Sequence, residues 1–251
     1  MKRFLFAAFL LLTAAVVHSQ VLNIESMRFY KDSDGWIGSA NLDFGAQQNV
    51  NTLYDFSNTI HVQYKKKRSR IIFLNNLDFT FANKQDYENT GFQHVRYNYK
   101  LSDNGRWTAE AFVQTQYNKP MKMDFRGVTG AGIRMRVFKT KIVHMYLGSL
   151  YMFEHETDDG GKLVYDDHRL SSYLTFSVDF NGKAEINNTV YYQPAFVNFS
   201  DYRISESFTC LAQITRHFGF SAAFDLLYDT KQPEGIPNLS WKFEQGIAYS
   251  F

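Results

Sequence analysis

Three arginines at even spacing are the residues of this chain best suited to chemistry. Arg126, Arg134 and Arg136 share a parity with Gly130 and Gly132, and an extended strand would stand all five on one face. The segment before them carries Glu110, Gln114, Gln116 and Asn118 at a shared parity. Guanidinium groups take phosphate and carboxylate in bidentate geometry. Three on one wall could hold an anion, with the glycines leaving room for a solute or for neighbouring long side chains. The competing reading is internal: the arginines pair with Glu110, Glu154 and aspartates across an enclosed space, because buried charges persist only when paired.

Two other groupings invite chemistry. Asp167-His168-Arg169-Leu170-Ser171 offers a base and a nucleophile, but residues an odd number apart stand on opposite faces of a strand. Ser172 shares a face with His168, yet no Asn in the segment is placed to orient the ring. No catalytic residue is therefore assigned; a lipid-modifying enzyme of the phospholipase or acyltransferase type is the alternative. Glu154-His155-Glu156, with Asp158, Asp159, Asp166, Asp167 and His168, puts carboxylates and imidazoles around one connection. Calcium favours such density, but a solvated acidic loop, flexible at Gly160-Gly161, is the plainer reading. No metal or cofactor is expected. The single cysteine, Cys210, excludes an internal disulfide, and a net charge of +2 gives no reason to expect a nucleic-acid partner.

The elements that position these groups read as strands. Aromatics make up 17% of the chain, prolines number 4 and mean hydropathy is −0.35. A transmembrane β-barrel has this profile, because lipid-facing and lumen-facing residues alternate and window averages cancel. Period-two alternation places strands at 35–47, 52–65, 69–82, 91–101, 106–118, 123–137, 141–155, 168–180, 184–197, 203–215, 218–229 and 238–251. The fold class is all-β, an antiparallel barrel of about twelve strands of the outer-membrane type, with closure pairing every backbone group inside the bilayer. Val95, Tyr97 and Tyr99 then face lipid, and His94, Arg96, Asn98 and Lys100 face the lumen. Leu170, Leu174, Phe176, Val178 and Phe180 oppose Arg169, Ser171, Tyr173, Ser177 and Asp179. The lumen also receives Asp43, Asp55, His61, Asp78, His144, Asp225, Lys242 and Glu244. A salt-bridged, largely filled interior and a small polar conduit both fit this inventory.

The connections are expected to alternate in length. With both termini in the periplasm, Lys66–Ser69, Ser102–Gly105, Lys139–Lys141, Asn181-Gly182 and Arg216-His217 are tight periplasmic turns, two of them with the Asn-Gly pair that hairpins favour. The opposite connections, Asn83–Thr90, Asn118–Met123, Glu156–Asp167 and Thr230–Asn238, are longer. Trp36, Trp107 and Trp241 lie near strand ends at comparable depth, as girdle residues do.

The two ends of the chain agree with this reading. Met1-Lys2-Arg3, the apolar run Phe4–Val17 and a cut before Gln20 make a signal peptide over 1–19. The run is shorter than the ~20 residues of a spanning helix. A lead-in over 20–34 follows, in which 21–30 is either an extra strand or a segment partly filling the barrel. The barrel occupies 35–251. Its last residues, Gln245-Gly246-Ile247-Ala248-Tyr249-Ser250-Phe251, resemble the signal by which outer-membrane barrels meet their assembly machinery, with Gly246, Tyr249 and Phe251 as its key positions.

Several segments, in order, resemble a family. They include Gln93-His94-Val95-Arg96-Tyr97-Asn98-Tyr99, Phe112-Val113-Gln114-Thr115-Gln116-Tyr117-Asn118 and Arg126-Gly127-Val128-Thr129-Gly130-Ala131-Gly132. Leu147-Gly148, Glu154-His155-Glu156, Arg169-Leu170-Ser171, Tyr192-Gln193-Pro194, Ser200-Asp201-Tyr202-Arg203 and Tyr228-Asp229 continue the series. The chain resembles the Domain of Unknown Function 481 outer-membrane proteins, also called salt-induced or YdiY-like. The resemblance implies an outer-membrane barrel and brings no catalytic set with it.

The expected function is a non-enzymatic integral outer-membrane protein, envelope-structural or a narrow channel for small solutes, with a surface receptor as a further alternative. Its expected partners are outer-membrane lipids, lipopolysaccharide and the assembly machinery. Deleting Phe251 is expected to impair assembly; normal amounts of heat-modifiable barrel in the outer-membrane fraction of the deletion strain would count against the reading of the C-terminus.

Overall fold

The computed structural model describes Ile24, 34–82, 85–158, 160–215 and 217–249, with the side chains of 85–87 left aside. The expected 1–19 segment, the lead-in apart from Ile24 and Asp34, and Phe251 lie outside these residues.

Twelve strands follow one another: β1 (Gly35–Gln48), β2 (Thr52–Lys66), β3 (Ser69–Ala82), β4 (Gln85–Lys100), β5 (Trp107–Asn118), β6 (Met123–Lys139), β7 (Val143–Asp158), β8 (Leu163–Asp179), β9 (Ala184–Pro194), β10 (Tyr202–Gln213), β11 (Phe218–Asp229) and β12 (Leu239–Tyr249). They form one antiparallel sheet in chain order, β1 to β12. Strands run from 11 to 17 residues, enough to cross a bilayer at a tilt, which takes ~9–11. The fold is an antiparallel β-barrel of the outer-membrane type. β1 begins and β12 ends at the same end of it, called here the terminal end; the opposite is the far end.

The alternation sorts side chains as the sequence predicts. Along β4, Val95, Tyr97 and Tyr99 are exposed outside while His94, Arg96 and Asn98 are buried inside. Along β12, Leu239, Trp241, Phe243, Ile247 and Tyr249 are all exposed outside. The sheet curls until distant strands meet across the lumen. The Tyr173 hydroxyl on β8 donates to Glu110 on β5 at 2.6 Å, and Lys122, between β5 and β6, donates to the Glu234 carbonyl, between β11 and β12, at 2.6 Å.

The structure corrects several expectations. β4, β7 and β8 are longer than the sequence pattern indicated, reaching 85, 158 and 163 at the far end. Their extra residues consume the connections expected to be long. Only 195–201 and 230–238 exceed 101–106, the longest connection at the terminal end. The expected ring of backbone bonds has a seam: among the described residues no ladder joins β1 to β12. On β12, at this seam, Lys242 pairs with Glu244 of its own strand at 3.1 Å. The tryptophans are not at one depth. Trp36 and Trp107 open strands at the terminal end, whereas Trp241 is near the far end, so they serve two rims. Val178, expected on the lipid face, is buried. Asp179, the last residue of β8, is exposed rather than enclosed in the lumen; its carboxylate accepts from the Gly182 amide at 2.7 Å, beside Asn181 and Gly182 with φ of 54° and 74°.

The wall glycines house rings. Gly148 on β7 lies directly opposite Tyr173 on β8, and Gly130 on β6 opposite Phe112 on β5. A Cβ at Gly148 would overlap the Tyr173 ring, and one at Gly130 would fall 2.7 Å from Phe112. At Gly132 a Cβ would meet the Ser149 carbonyl oxygen and Leu150. The room these glycines leave is thus filled by neighbours, not by solute. Gly148→Val is expected to displace Tyr173 and cost ~1–3 kcal/mol, the usual price of overpacking; an unchanged melting temperature by circular dichroism would contradict this.

Candidate functional site

The interior is organised around two buried carboxylates. The first is Glu154 on β7. A strand inside a curled sheet presents every second residue to the lumen, so Glu154, Glu156 and Asp158 point inward together, each almost wholly buried. Arg126 on β6 reaches Glu154 with its Nε and lies 3.3 Å from Glu156. Arg169 on β8 places Nε 2.8 Å from Glu154. Arg203 on β10 donates to Glu154 at 2.5 Å and to Glu156 at 3.1 Å, having crossed from a strand three places away. One carboxylate is thus shared by arginines from three strands.

Further acids complete the group. Arg169 donates to Asp167 at 2.9 Å and to Asp201 at 3.0 Å, and Arg203 donates to Asp229 at 2.5 Å. Lys231, in the connection after β11, lies 2.5 Å from Asp201. The hydrogen bond to that carboxylate holds the Lys231 ammonium above the ordinary lysine range. Removing one partner from such a buried assembly leaves uncompensated charge, so each member depends on the others.

The second carboxylate is Glu110 on β5, towards the terminal end. Asn98 donates to it at 2.8 Å and Tyr173 at 2.6 Å; Arg96 and Arg134 stand 3.5 Å and 3.7 Å away. Arg96 Nε is 3.3 Å from His94 Nε2, and His94 Nδ1 is 3.1 Å from the Gln114 side-chain oxygen. The Arg96 guanidinium also lies over the Phe112 ring at 5.5 Å, and that of Arg134 over Tyr146 at 3.7 Å, contacts of the cation–π kind.

Of the nine lumen positions singled out from the sequence, His94, Arg96, Glu110, Gln114 and Arg134 gather around Glu110, and Arg126, Glu154 and Arg169 around Glu154. Arg136 joins neither: its Nη2 donates to the Asn104 carbonyl at 2.7 Å, in the turn between β4 and β5. The three arginines of β6 therefore do not make one anion site. The acidic loop is corrected as well. Glu154, Glu156 and Asp158 belong to the lumen, while His155 faces outward and bonds Asp166 at 2.7 Å, so the carboxylates do not converge on a loop. His168 faces outward to the Tyr151 hydroxyl, whereas Ser171 faces inward and receives a hydrogen bond from Gln193 at 3.1 Å. Gly246 and Tyr249 lie on β12, with Tyr249 exposed on the outer face.

Sequence reading missed Arg203, Glu156, Asp201 and Asp229 as lumen groups. Arg203 and Asp229 lie within the expected 203–215 and 218–229 at the inward parity; Glu156 becomes legible only once β7 is extended past 155, and Asp201 lies in the connection before β10. It also missed an apolar layer between the carboxylates, made of Phe112, Val128, Leu150, Met152, Tyr173 and Tyr191. Ile24 is buried against Ile72, Leu74 and Phe92, which places that residue of the lead-in among inward-facing groups of β3 and β4. A cavity of about 120 Å³ lies beside it, lined in part by Gln114, Arg126, Arg203 and Asp229.

Glu154→Gln preserves the shape of the hub and removes the charge three arginines share. Unfolding in urea should reveal a loss of ~3–5 kcal/mol, the scale for breaking a buried ion pair; an unaltered transition midpoint would show that the hub does not hold the barrel together.

Comparison with known structures finds the NanC porin, 13% identical, with 84% of this chain and all of that chain covered at a TM-score of 0.47. The β-domain of the Bordetella autotransporter BrkA is 12% identical over 86% of this chain and 98% of that one, at a TM-score of 0.34. No curated protein matches the sequence. The family model described as "Protein of unknown function, DUF481" matches residues 42–251, nearly the whole barrel, and the chain belongs to that family.

Proposed function

We propose that this protein is a non-enzymatic, integral β-barrel of the outer membrane with an envelope-structural role, its lumen latched by internal ion pairs. The observation that carries the reading is the sharing of Glu154 by Arg126, Arg169 and Arg203. Side chains from four strands meet at one carboxylate, and an apolar layer lies between it and Glu110. Matter filling a lumen in this way gives lateral stiffness and leaves little path for solutes. The apolar outer wall contacts lipids and lipopolysaccharide, and the C-terminal strand serves recognition by the assembly machinery.

A narrow channel is the second reading. Cavities at two levels of the lumen favour it, one beside Arg126 and Arg203 and one beside Arg134. Planar-bilayer recording separates the two. The refolded mature protein is expected to be silent, and the double variant Glu110→Gln, Glu154→Gln to produce conductance steps. Reproducible steps from the unaltered protein, with an ion selectivity that changes on Arg134→Ala, would replace the structural reading with the channel.

A further inference from the structure

One acid beside the Glu154 hub is left without a donor. Glu154, Glu156 and Asp158 stand at every second position of β7, and Asp158 is only 1% exposed. Neither oxygen of the Asp158 carboxyl reaches a hydrogen-bond donor, and both are closed off from solvent. Its register neighbours, Met123 on β6 and Leu163 on β8, have apolar side chains. Each nitrogen of Arg203 is taken by another acid: Nε by Asp229, Nη1 by Glu154 and Nη2 by Glu156. The side chain that Asp158 does meet is the carboxyl of Glu156, which also meets Glu154.

Buried polar groups are nearly always hydrogen-bonded, and here the partner on hand is a second carboxyl. Two ionised carboxylates can only accept hydrogen bonds; one added proton turns one of them into a donor to the other. Without it, two like charges lie side by side in a medium of low dielectric, the arrangement in which paired carboxyls retain a proton between them. The other charged and titratable groups around the pair are Arg126 and Asp124 of β6, Glu154 of β7, Tyr165 of β8, Arg203 of β10, Asp229 of β11 and Lys231 beyond it. Several of these have partners of their own. Asp124 accepts from Lys119 and from the Gly160 and Gly161 amides, Lys231 lies against Asp201, and Glu154 is shared by three arginines.

We propose that Glu156 and Asp158 bind one proton between them, which makes the far end of β7 a proton-responsive element of the lumen. Loss of the proton leaves three carboxylates in a row on one strand face. Their repulsion acts on the last residues of β7, where Asp158 pairs with Met123 and Leu163, and so loosens the far end of the latch. The proposal deepens the structural reading above and rests on it for this consequence; the shared proton itself stands on the burial and contacts of the two carboxyls.

The test is infrared spectroscopy of the mature barrel refolded in phosphatidylcholine vesicles. At neutral pH the folded protein is expected to show the carbonyl stretch of a protonated carboxyl, a band that carboxylates lack. Asp158→Asn supplies an amide donor in place of the proton and should remove that component of the band while the barrel stays folded. If that variant does not fold, Glu156→Gln supplies the comparison, with the same loss expected. As pH rises from neutral to alkaline, the band should disappear and the melting temperature should fall, the direction required when the folded state holds a proton that the unfolded chain has released. The melting temperature of Asp158→Asn should fall less. Absence of the band from the folded wild type at neutral pH, an undiminished band in the folded variant, or an equal alkaline shift in the two proteins overturns the proposal. The band reports the proton alone. Its absence beside a destabilised Glu154→Gln would remove the proton and leave the latch; its presence beside an unaltered Glu154→Gln would do the reverse.

Discussion

Hydrocarbon holds no water for a backbone amide to bond, so a chain that crosses it as strands must pair each strand with its neighbours. The rest of this structure follows from that constraint. A sheet curled around a lumen has one outer face and one inner face, and period two assigns every strand residue to one of them. Lys and Arg facing lipid near the midplane cost ~2–4 kcal/mol each, and Asp and Glu somewhat less. They are therefore concentrated in the lumen, where the question becomes how so many charges share a small volume. Two carboxylate hubs with an apolar layer between them are this chain's arrangement.

The fold was readable from the sequence because alternation is a local property. The positions of β3 and β11 match the expected 69–82 and 218–229, and the inward parity of His94, Arg96, Glu110 and Arg126 needed no knowledge of their neighbours. What alternation does not reveal is where a strand stops. β7 runs on through His155-Glu156-Thr157-Asp158, polar residues that resemble a loop in isolation. They stay extended because Leu163–Asp166 pairs with them from β8 and because Glu156 is held inside by Arg126 and Arg203. The partners that make these residues strand-like come from elsewhere in the chain, and a local pattern is blind to them.

The same distinction explains the lumen contacts. Parity identifies which groups point inward but not at what depth, and depth decides which arginine meets which acid. Arg126, Arg134 and Arg136 share a parity, yet their strand carries them to the Glu154 hub, the Glu110 hub and the terminal-end turn in that order. A row of like charges along one strand is thus dispersed over the length of the barrel. Inward apolar residues were likewise invisible to a reading that sought a polar lumen. Phe112 and Tyr173 are inward because Gly130 and Gly148 make room for them on the adjacent strands, a cross-strand pairing of ring and glycine that only the register exposes.

A buried ion network is a costly way to fill space, since well-packed hydrophobic residues often serve stability as well or better. Its use here is consistent with a second requirement, register. In a strand, a slip of one residue exchanges the two faces. If β10 slipped by one relative to its neighbours, Arg203 would turn towards lipid and Glu154, Glu156 and Asp229 would lose a shared cation. If β7 slipped, Glu154 would leave three arginines facing one another. Apolar lumen residues would penalise such a slip only weakly, because lipid accepts them. Charges make the wrong register expensive on both faces, and arginines that bridge strands not adjacent in the sheet extend that penalty across the lumen. The Glu154 hub therefore penalises register slips of β7 and β10, in addition to whatever stability it contributes.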